Sequence, residues 1–378
     1  MNSKERVLKM INHEEPDRVP VGEWGIDHDH VSKIIGHHTY WRNRKDTTLA
    51  LWEGRRDEVV ESMKSDLVEL VEKLDYDVVV VELVPPKGYK PVNPPKKTGE
   101  GVWEDSKGNI YKYASSNDSI MCVTHSEGKE ELTEDDINSR SSIQLDESVF
   151  ELIDFIGDKY GDEKAVLCRS IDIHGVLMDP FGGDYNHQLV LTSISPEEIK
   201  RMYQAGLEYN RKIIQHCVKH KILIGMQGYD FGMNSGTIMS PPAIRNIFLP
   251  FMLMVNQEIA KYGMIPFFHC CGNIWDIMND LVTSGYKGYQ SIQESACMDT
   301  RMLKEKYGKD LTLWTGVQCE TLVAGSIEDT VREVRENLKY LMPGGGFIFG
   351  STNSVQYGAK TDNYLKALEI VREEGVYR

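Results

Sequence analysis

The sequence predicts an α/β fold of the TIM (β/α)8 barrel type, with an N-terminal extension and an inserted hairpin or lid region. Three observations predict this fold. Short apolar runs alternate with amphipathic segments from about residue 147 onward, which favours parallel strands joined by helices. The run Val78–Val81 is typical of a strand that is buried on both faces. The 378 residues fit a single barrel domain, 1–378, in which residues 85–146 form the insertion.

Helix and strand signals precede the insertion. Ser3 begins a first helix that reaches about His13, and residues 19–24 form a short apolar strand. A second helix extends from about Arg56 to Leu74 and leads into the valine-rich strand. The segment 27–45 carries several histidines and arginines, and we interpret it as a solvated loop rather than a second metal site.

The insertion differs in composition from the rest of the chain. Paired prolines at 85–86 and 94–95 are typical of loops. Residues 102–111 contain the turn Lys107-Gly108-Asn109 between two short strand-like runs, which predicts a β-hairpin. We therefore expect a lid on the main fold rather than a separate domain.

From Glu147 onward, strands and helices alternate to the end of the chain. Ser195 and Ser240 each precede proline at a first helical position, which is a helix-start signal. A doubly wound sheet, the competing fold, would more often carry a glycine-rich phosphate loop after its first strand, and the sequence has none there. Helices are predicted at 147–160, 195–220, 240–262, 274–284, 299–307, 327–341 and 362–374, and strands at 165–171, 222–229, 264–268, 287–292, 311–315 and 345–349.

Charge and cysteine content exclude several classes of protein. The 43 basic and 58 acidic residues give a net charge of −15, which argues against a nucleic-acid partner and against binding to anionic membranes. The sequence lacks an apolar run of the roughly 20 residues that a membrane helix requires. Seven scattered cysteines do not form a disulfide framework, so we expect reduced thiols and a cytoplasmic protein.

Polar residues follow most of the predicted strands. The carboxyl ends of barrel strands meet on one face, so these side chains are expected to converge on a single cleft. In chain order, they are Glu23, Trp24, Glu82, Arg169, Asp172, Tyr229, Asp230, His269, Cys271, Gln293, Glu294, Gln318, Cys319 and Asn353.

The segment His269-Cys270-Cys271-Gly272 is the strongest candidate for chemistry. His269 and Cys271 point to the same side of a strand, and nitrogen with sulfur suits zinc better than magnesium or calcium. Cys319 and Glu294 are candidates for the remaining ligands. A buried cysteine and a hydrogen-bonded core histidine are the plainer interpretation of the same residues.

Two other cleft residues have alternative interpretations. Arg169 either pairs with a core carboxylate or clamps an anionic substrate. Asp230, in Tyr229-Asp230-Phe231-Gly232, either caps a turn or binds substrate. The residues themselves leave both questions open.

Several short motifs together resemble the uroporphyrinogen decarboxylase superfamily. Each motif is weak alone, but their order and spacing over the whole chain make the resemblance specific. The matching segments are Asp17-Arg18-Val19-Pro20, Tyr229-Asp230-Phe231-Gly232, Ile238-Met239-Ser240-Pro241, Phe248-Leu249-Pro250, His269-x-Cys271-Gly272-Asn273, Leu303-Lys304-x-x-Tyr307-Gly308 and Gly344-Gly345-Gly346-Phe347-Ile348.

The resemblance implies one of two activities. One branch of the superfamily decarboxylates the acetate arms of a porphyrinogen without a cofactor, using arginines after the first strand and a histidine in the C-terminal loop. Here Glu23 and Asp27 follow the first strand, and Asn353 stands where that histidine would align. The other branch is similar to the methylcobalamin:coenzyme M methyltransferases, which bind zinc through His-x-Cys and a later cysteine. His269 and Cys271 match that pair, whereas the later cysteine would align near Asn353.

The resemblance therefore favours a zinc-dependent methyltransferase that acts between a small methoxy- or methylthio-type substrate and a corrinoid (cobalamin), free or on a partner protein. The expected metal ligands are His269, Cys271, Cys319 and Glu294. Two rival functions remain, a cofactor-independent decarboxylase and a barrel that only binds a ligand. Catalysis is expected of Asp230, Tyr229 and Asn353, and substrate binding of Trp24, Glu82, Arg169 and Gln293.

Overall fold

The computed structural model describes residues 1–124, 133–141, 143–171 and 185–378. Within these ranges, seven parallel strands form one sheet in which each strand pairs with its neighbours along the chain. The fold is α/β, as the sequence predicts. The seven strands are β1 (Val78–Val81), β2 (Ala165–Cys168), β3 (Ile224–Gly228), β4 (Ile265–His269), β5 (Gly288–Gln290), β6 (Thr312–Val317) and β7 (Phe347–Ser351).

The segment that the sequence assigns to an eighth strand joins the two edges of this sheet. Val21 forms a parallel bridge with Phe349 of β7, and Gly22 forms one with Val78 of β1. A β-carbon on Gly22 would lie 2.5 Å from the Val78 side chain, so the approach requires glycine. The fold is therefore TIM-barrel-like, and in the described part of the chain the expected eighth strand is reduced to two bridges.

Side chains of alternating strand residues fill the barrel interior. The helix Ser3–Ile11, part of the predicted N-terminal extension, contributes Val7 and Ile11 to this interior cluster. Each fully buried apolar side chain contributes about 1.5–3 kcal/mol. The strand members of the cluster are Val78, Val80, Ala165, Leu167, Ile224, Met226, Phe267, Trp314 and Ile348.

Helices connect the strands and cover the sheet. Two predicted helices, Arg56–Leu74 and Ile327–Leu341, have the bounds that the sequence indicates. None of the described helices is long and apolar enough to cross a membrane. The other barrel helices are Glu151–Tyr160, Tyr185–Ile194, Pro196–Lys219, Pro241–Ile247, Leu249–Lys261, Met278–Thr283, Thr300–Tyr307, Cys319–Ala324 and Thr361–Glu374.

The segment 27–45 differs from the solvated loop that the sequence suggests. It contains the helix His28–Ile35 and the start of a second helix, Arg44–Trp52. His30 is buried, and its Nδ1 lies 2.8 Å from the Thr361 hydroxyl. The loop interpretation was wrong because the histidines masked an apolar helical face, which includes Val31.

The insertion contains more than the predicted hairpin. Four antiparallel strands form a separate sheet in the order Lys96–Gly99, Val102–Glu104, Ile110–Ala114 and Ser119–Thr124. Asp105 stabilises the predicted turn because its Oδ1 accepts hydrogen bonds from the backbone N–H of Lys107 (2.8 Å) and Asn109 (3.0 Å). The short helix Glu134–Ser141 follows.

Candidate active site

Strand β4 delivers a histidine to the barrel mouth. Phe267 belongs to the interior cluster, so the two-residue period of the strand also directs His269 inward, at the carboxyl end. His269 is paired in register with Gly228 of β3 and Gln290 of β5. The backbone N–H of Tyr229 donates to the His269 carbonyl at 3.1 Å. These ladders fix the position of the imidazole.

Three possible metal ligands meet at this point. Donor atoms of Asp230, His269 and Cys271 all lie within 4.8 Å of one another. The Sγ atom of Cys271 is 3.5 Å from Nε2 of His269. We call these three residues the mouth cluster. The structure brings together His269 and Cys271, which the sequence pairs as metal ligands, and places beside them Asp230, which the sequence assigns to catalysis.

A close approach of two loops holds Asp230 beside Cys271. The backbone N–H of Cys271 donates to Asp230 Oδ1 at 2.8 Å. Gly272 has a φ of +77°, and a β-carbon there would lie 2.4 Å from the Gly232 backbone. The N–H of Asn273 donates to the Met233 carbonyl at 2.8 Å, which joins the loops further. The glycines of the two sequence motifs therefore let the ligand loops touch.

Amide side chains orient the cluster from behind. Nδ1 of His269 is hydrogen-bonded to the Gln290 side-chain oxygen, an acceptor, so Nδ1 carries the hydrogen and Nε2 presents its lone pair toward Cys271. Gln290 in turn donates to the Asn353 carbonyl at 2.8 Å, and the Asn353 amide donates to Cys271 Sγ at 3.2 Å. Such outer contacts fix the tautomer and direction of metal-binding histidines.

Burial sets the protonation of these groups. Burial lowers the pKa of His269, which favours the neutral imidazole. Burial first, and then the Asp230 carboxylate, raise the pKa of Cys271 to about 12. A thiol of this kind keeps its proton at neutral pH unless a cation displaces it.

The donor set fits zinc. Zinc–nitrogen and zinc–sulfur bonds of about 2.0–2.1 and 2.3 Å at a tetrahedral angle separate the two donors by roughly 3.6 Å. The observed separation of 3.5 Å between His269 Nε2 and Cys271 Sγ matches this value. Imidazole, thiolate and carboxylate are all zinc ligands, so Cys271 would bind as the thiolate after losing its proton. These residues therefore suit a zinc ion with an open position for substrate or water.

The other two predicted ligands lie outside the mouth cluster. Cys319 is buried at the start of the helix Cys319–Ala324, where its Sγ donates to the Ser354 carbonyl at 3.4 Å. Glu294 is exposed and lines a pocket of about 160 Å³ that Asp299 and Glu333 share. Their metal-binding roles stay predictions.

The predicted substrate-binding residues stand around His269. The Trp24 ring stacks on the His269 ring, with centroids 4.4 Å apart and planes at 16°. The Arg169 guanidinium lies 5.4 Å from the Trp24 ring centroid and forms an ion pair with Glu82. The side-chain oxygen of Gln293 accepts from the Gly272 N–H at 3.0 Å, so Gln293 supports the ligand loop.

The ring of Tyr229, a predicted catalytic residue, lies among core aromatic side chains. The Tyr229 ring packs against Phe231 and Phe248, at centroid distances of 4.4 and 5.0 Å. A catalytic role for Tyr229 stays a prediction. Asp172, another strand-end residue, lies outside the described residues.

Sequence reasoning missed Arg42 and Gln290. The Arg42 side chain is 9% exposed and paired with Asp27 at 2.9 Å, and a β-carbon on Gly25 would lie 2.4 Å from its guanidinium carbon. The segment around Arg42 had been interpreted as a loop, so nothing in the sequence placed this residue near the mouth. Gln290 had a usable signal, because alternate residues of its strand face inward.

A buried carboxyl group, Glu23, lies beside the mouth. Its two oxygens accept hydrogen bonds from the Ser351 hydroxyl at 2.6 Å and the Ser351 N–H at 2.9 Å. Burial raises the pKa of Glu23 to about 7, against the opposing effect of these hydrogen bonds and of one to Tyr364. Glu23 therefore changes charge near neutral pH.

The fold and the mouth cluster define a TIM-barrel-like protein with convergent nitrogen, sulfur and oxygen donors at the carboxyl ends of its strands. Residues 182–374, just over half of the chain, match the model of the uroporphyrinogen decarboxylase (URO-D) family. The chain belongs to the uroporphyrinogen decarboxylase family, which confirms the resemblance seen in the sequence.

Comparison with solved structures agrees on the fold. A methyltransferase from Methanosarcina mazei is similar to this chain, with a TM-score of 0.67 and 17% sequence identity over 99% of both chains. At this identity, the likeness establishes the shared fold. A search of curated proteins by sequence found no match.

Proposed function

We propose that this protein is a zinc-dependent methyltransferase that moves a methyl group between a small methoxy- or methylthio-type substrate and a corrinoid. The corrinoid would be free or carried by a partner protein. The observation that carries the proposal is the mouth cluster, in which Asp230, His269 and Cys271 converge at the carboxyl ends of strands. The similarity in fold to a methyltransferase supports the same activity.

The three cluster residues would hold the metal. A zinc ion held there would supply a Lewis acid that lowers the pKa of a substrate thiol or polarises an ether oxygen. Gln290 keeps the His269 lone pair on the cluster, and Asn353 donates to the Cys271 sulfur. The protein would therefore contribute by holding the three donor groups in place, so that they need not move when the metal binds.

Substrate would approach past Trp24 and Arg169. The Trp24 ring covers one face of His269, so it excludes water from that side of the cluster. Arg169 and Glu82 compensate each other's charge, so together they offer a polar but neutral wall. Such a wall suits an uncharged methoxy or methylthio group better than a polycarboxylate.

The first test is elemental analysis of the purified protein beside a His269→Ala variant. The expected result is about one zinc bound at the mouth cluster and lost in the variant. Methyl transfer is then measured from the absorbance change that accompanies methylation of reduced cobalamin, with methoxy and methylthio compounds as donors. Turnover without bound metal, or an unchanged rate in His269→Ala, would contradict the proposal.

A cofactor-independent decarboxylase is the second candidate, and one observation favours it. Arg42 and Arg169 both lower the pKa of His269, so two guanidinium groups lie near the mouth, although the segment directly after the first strand contains no arginine. However, Asp27 and Glu82 are their partners, which leaves little charge for substrate carboxylates. Release of carbon dioxide by metal-free protein, lost in Arg42→Met, would favour this alternative.

A further inference from the structure

A second group of possible metal ligands lies on the outer helices. His216 and His220 are four residues apart at the end of the helix Pro196–Lys219, so they share one helical face. Asp154 faces them from the helix Glu151–Tyr160. Donor atoms of the three residues lie within 4.8 Å of one another. We call them the flank cluster.

The flank cluster is remote from the barrel mouth. The helix Pro196–Lys219, which His220 caps, leads into the amino end of β3. The mouth lies at the opposite, carboxyl ends of the strands. The site therefore has no part in the chemistry proposed above.

Both histidines direct the same ring atom at one carboxylate oxygen. Nε2 of His216 is 2.6 Å from Asp154 Oδ1, and Nε2 of His220 is 3.5 Å from the same oxygen. The two rings are nearly parallel, with planes at 18° and centroids 5.0 Å apart. Two imidazole nitrogens and a carboxylate oxygen directed at one point form a ligand set for zinc and related divalent cations.

Further carboxylates stand behind both rings. Nδ1 of His220 is 2.9 Å from Asp158 Oδ1, and Nδ1 of His216 is 3.7 Å from Glu147 Oε2. Carboxylates in this position commonly orient metal-binding histidines. A neutral imidazole has one N–H and one lone pair, so a ring between two carboxylates needs a cation on one side. An added proton or a metal ion can fill that position.

Packing fixes one side of the cluster and leaves the other open. The His216 side chain is 11% exposed and stacks on Phe150, with ring centroids 3.7 Å apart. The side chains of His220 and Asp154 are 23% and 35% exposed. Solvent can therefore complete the coordination of an ion, and the ion can exchange.

We propose that Asp154, His216 and His220 bind one divalent transition-metal cation of the zinc, nickel and cobalt class. The cation links the helix Glu151–Tyr160 to the helix Pro196–Lys219 and replaces the protons that otherwise lie between the histidines and Asp154. Because the ligands come from two helices that meet only in the folded protein, the ion stabilises the native state.

Cobalt binding to the full chain tests the proposal. The Cys271→Ser variant is titrated with Co²⁺, since it lacks the thiol of the mouth cluster and its thiolate-to-cobalt absorption. The expected result is one bound Co²⁺ per chain with absorption from nitrogen and oxygen ligands only. Zn²⁺ should also raise the thermal unfolding midpoint of this variant.

Two further variants locate the ion. His220→Ala and Asp154→Asn in the same background should each weaken Co²⁺ binding about tenfold or more and abolish the Zn²⁺-dependent thermal shift. Asp154→Asn keeps the size of the side chain, so it tests the site even where loss of a ring impairs folding. His37→Ala is the matched control, because His37 is exposed and faces one carboxylate, Glu69 at 3.1 Å, and it should leave Co²⁺ binding unchanged.

Two outcomes would overturn the proposal. One is the failure of the Cys271→Ser protein to bind Co²⁺ at millimolar concentration. The other is an equal Co²⁺ affinity in the Cys271→Ser protein and in the same protein with His220→Ala or Asp154→Asn added. In either case, the flank cluster is a set of histidine–aspartate ion pairs.

Discussion

The mouth cluster and the flank cluster use similar donors in opposite settings. The mouth ligands come from strand ends and loops, and neighbouring backbone and amide groups hold them. The flank ligands come from helical register, with partly exposed carboxylates around them. Only the mouth cluster contains a thiol. Glycines allow close backbone approach at both clusters, at Gly272 in the mouth and at Gly157 in the flank, where a β-carbon would lie 2.3 Å from the His220 carbonyl oxygen. The difference suggests that the preorganised, buried donors of the mouth cluster serve chemistry, whereas the partly exposed donors of the flank cluster, which come from helices, serve stability.

The largest expected effect concerns Cys271, whose thiol is present in the mouth cluster and has no counterpart in the flank cluster. If the proposed function holds, Cys271→Ser should reduce methyl transfer by about 10³-fold, because the substitution would remove one of the three proposed ligands of an ion worth several kcal/mol of transition-state stabilisation. Metal bound at the flank cluster should remain. Metal content and single-turnover rates measure both. Cys297→Ser, at an exposed cysteine, is the control. Equal losses of methyl transfer in Cys271→Ser and Cys297→Ser would show that Cys271 has no special role at the mouth cluster.

Glu23 sharpens the contrast between buried and exposed carboxyl groups. Its pKa rises from an ordinary 4.5 to about 7 in the folded protein, which corresponds to roughly 3 kcal/mol. Because the folded state holds the proton more tightly, stability is full below about pH 4.5 and falls as pH rises through about 7.

The difference in unfolding free energy between the parent protein and Glu23→Gln should therefore change by about 2.5 kcal/mol between pH 5 and pH 8. Urea unfolding at several pH values measures it. A pH-independent difference for Glu23→Gln would mean that this carboxyl group is ionised throughout.

Backbone contact at the mouth predicts an intermediate effect. Gly272→Ala should destabilise the protein by about 1–3 kcal/mol and weaken metal binding at the mouth, since the residue has positive φ and meets the Gly232 backbone. Gly285 has a similar φ of +86° with open space around it, so Gly285→Ala separates conformational strain from the clash. Denaturant unfolding of the two variants gives the comparison. Equal metal affinity in both would show that the loop contact is unimportant.

The smallest expected effects come from groups behind the ligands. Gln290→Leu should lower zinc affinity at the mouth about 10- to 100-fold, because His269 loses the acceptor that fixes its tautomer. Asp158→Ala should lower affinity at the flank less, since Asp158 is 68% exposed. Competition with a chromogenic chelator measures both affinities. A larger loss of affinity in Asp158→Ala than in Gln290→Leu would mean that the supporting groups matter more at the flank cluster than at the mouth cluster.

The barrel was predictable because its signals are local and repeated. The alternation of strands and helices, and the bounds of Arg56–Leu74, follow from apolar periodicity. His269 and Cys271 stand out because two metal-binding residue types share one face of a strand. Such features need no knowledge of the distant chain.

The remaining site residues depend on contacts that no local pattern reports. Arg42 reaches the mouth through a gap at Gly25, and its helix neighbourhood resembled a polar loop. Asp230 was selected, but its place in the cluster depends on the approach of Gly232 to Gly272, which only the folded loops reveal. The flank cluster combines a helical histidine pair with a carboxylate from another helix, so its members are 62 residues apart in the chain.

The two bridges that close the barrel bear on the order of folding. Glu23 and Ser351, which meet at this closure, are separated by 328 residues, so the contact forms only after nearly the whole chain is available. Trp24 follows Glu23 directly, and its ring covers His269. During synthesis, the aromatic cover over the histidine is therefore among the last parts of the molecule to settle, after the strands that carry His269 and its partners have been made.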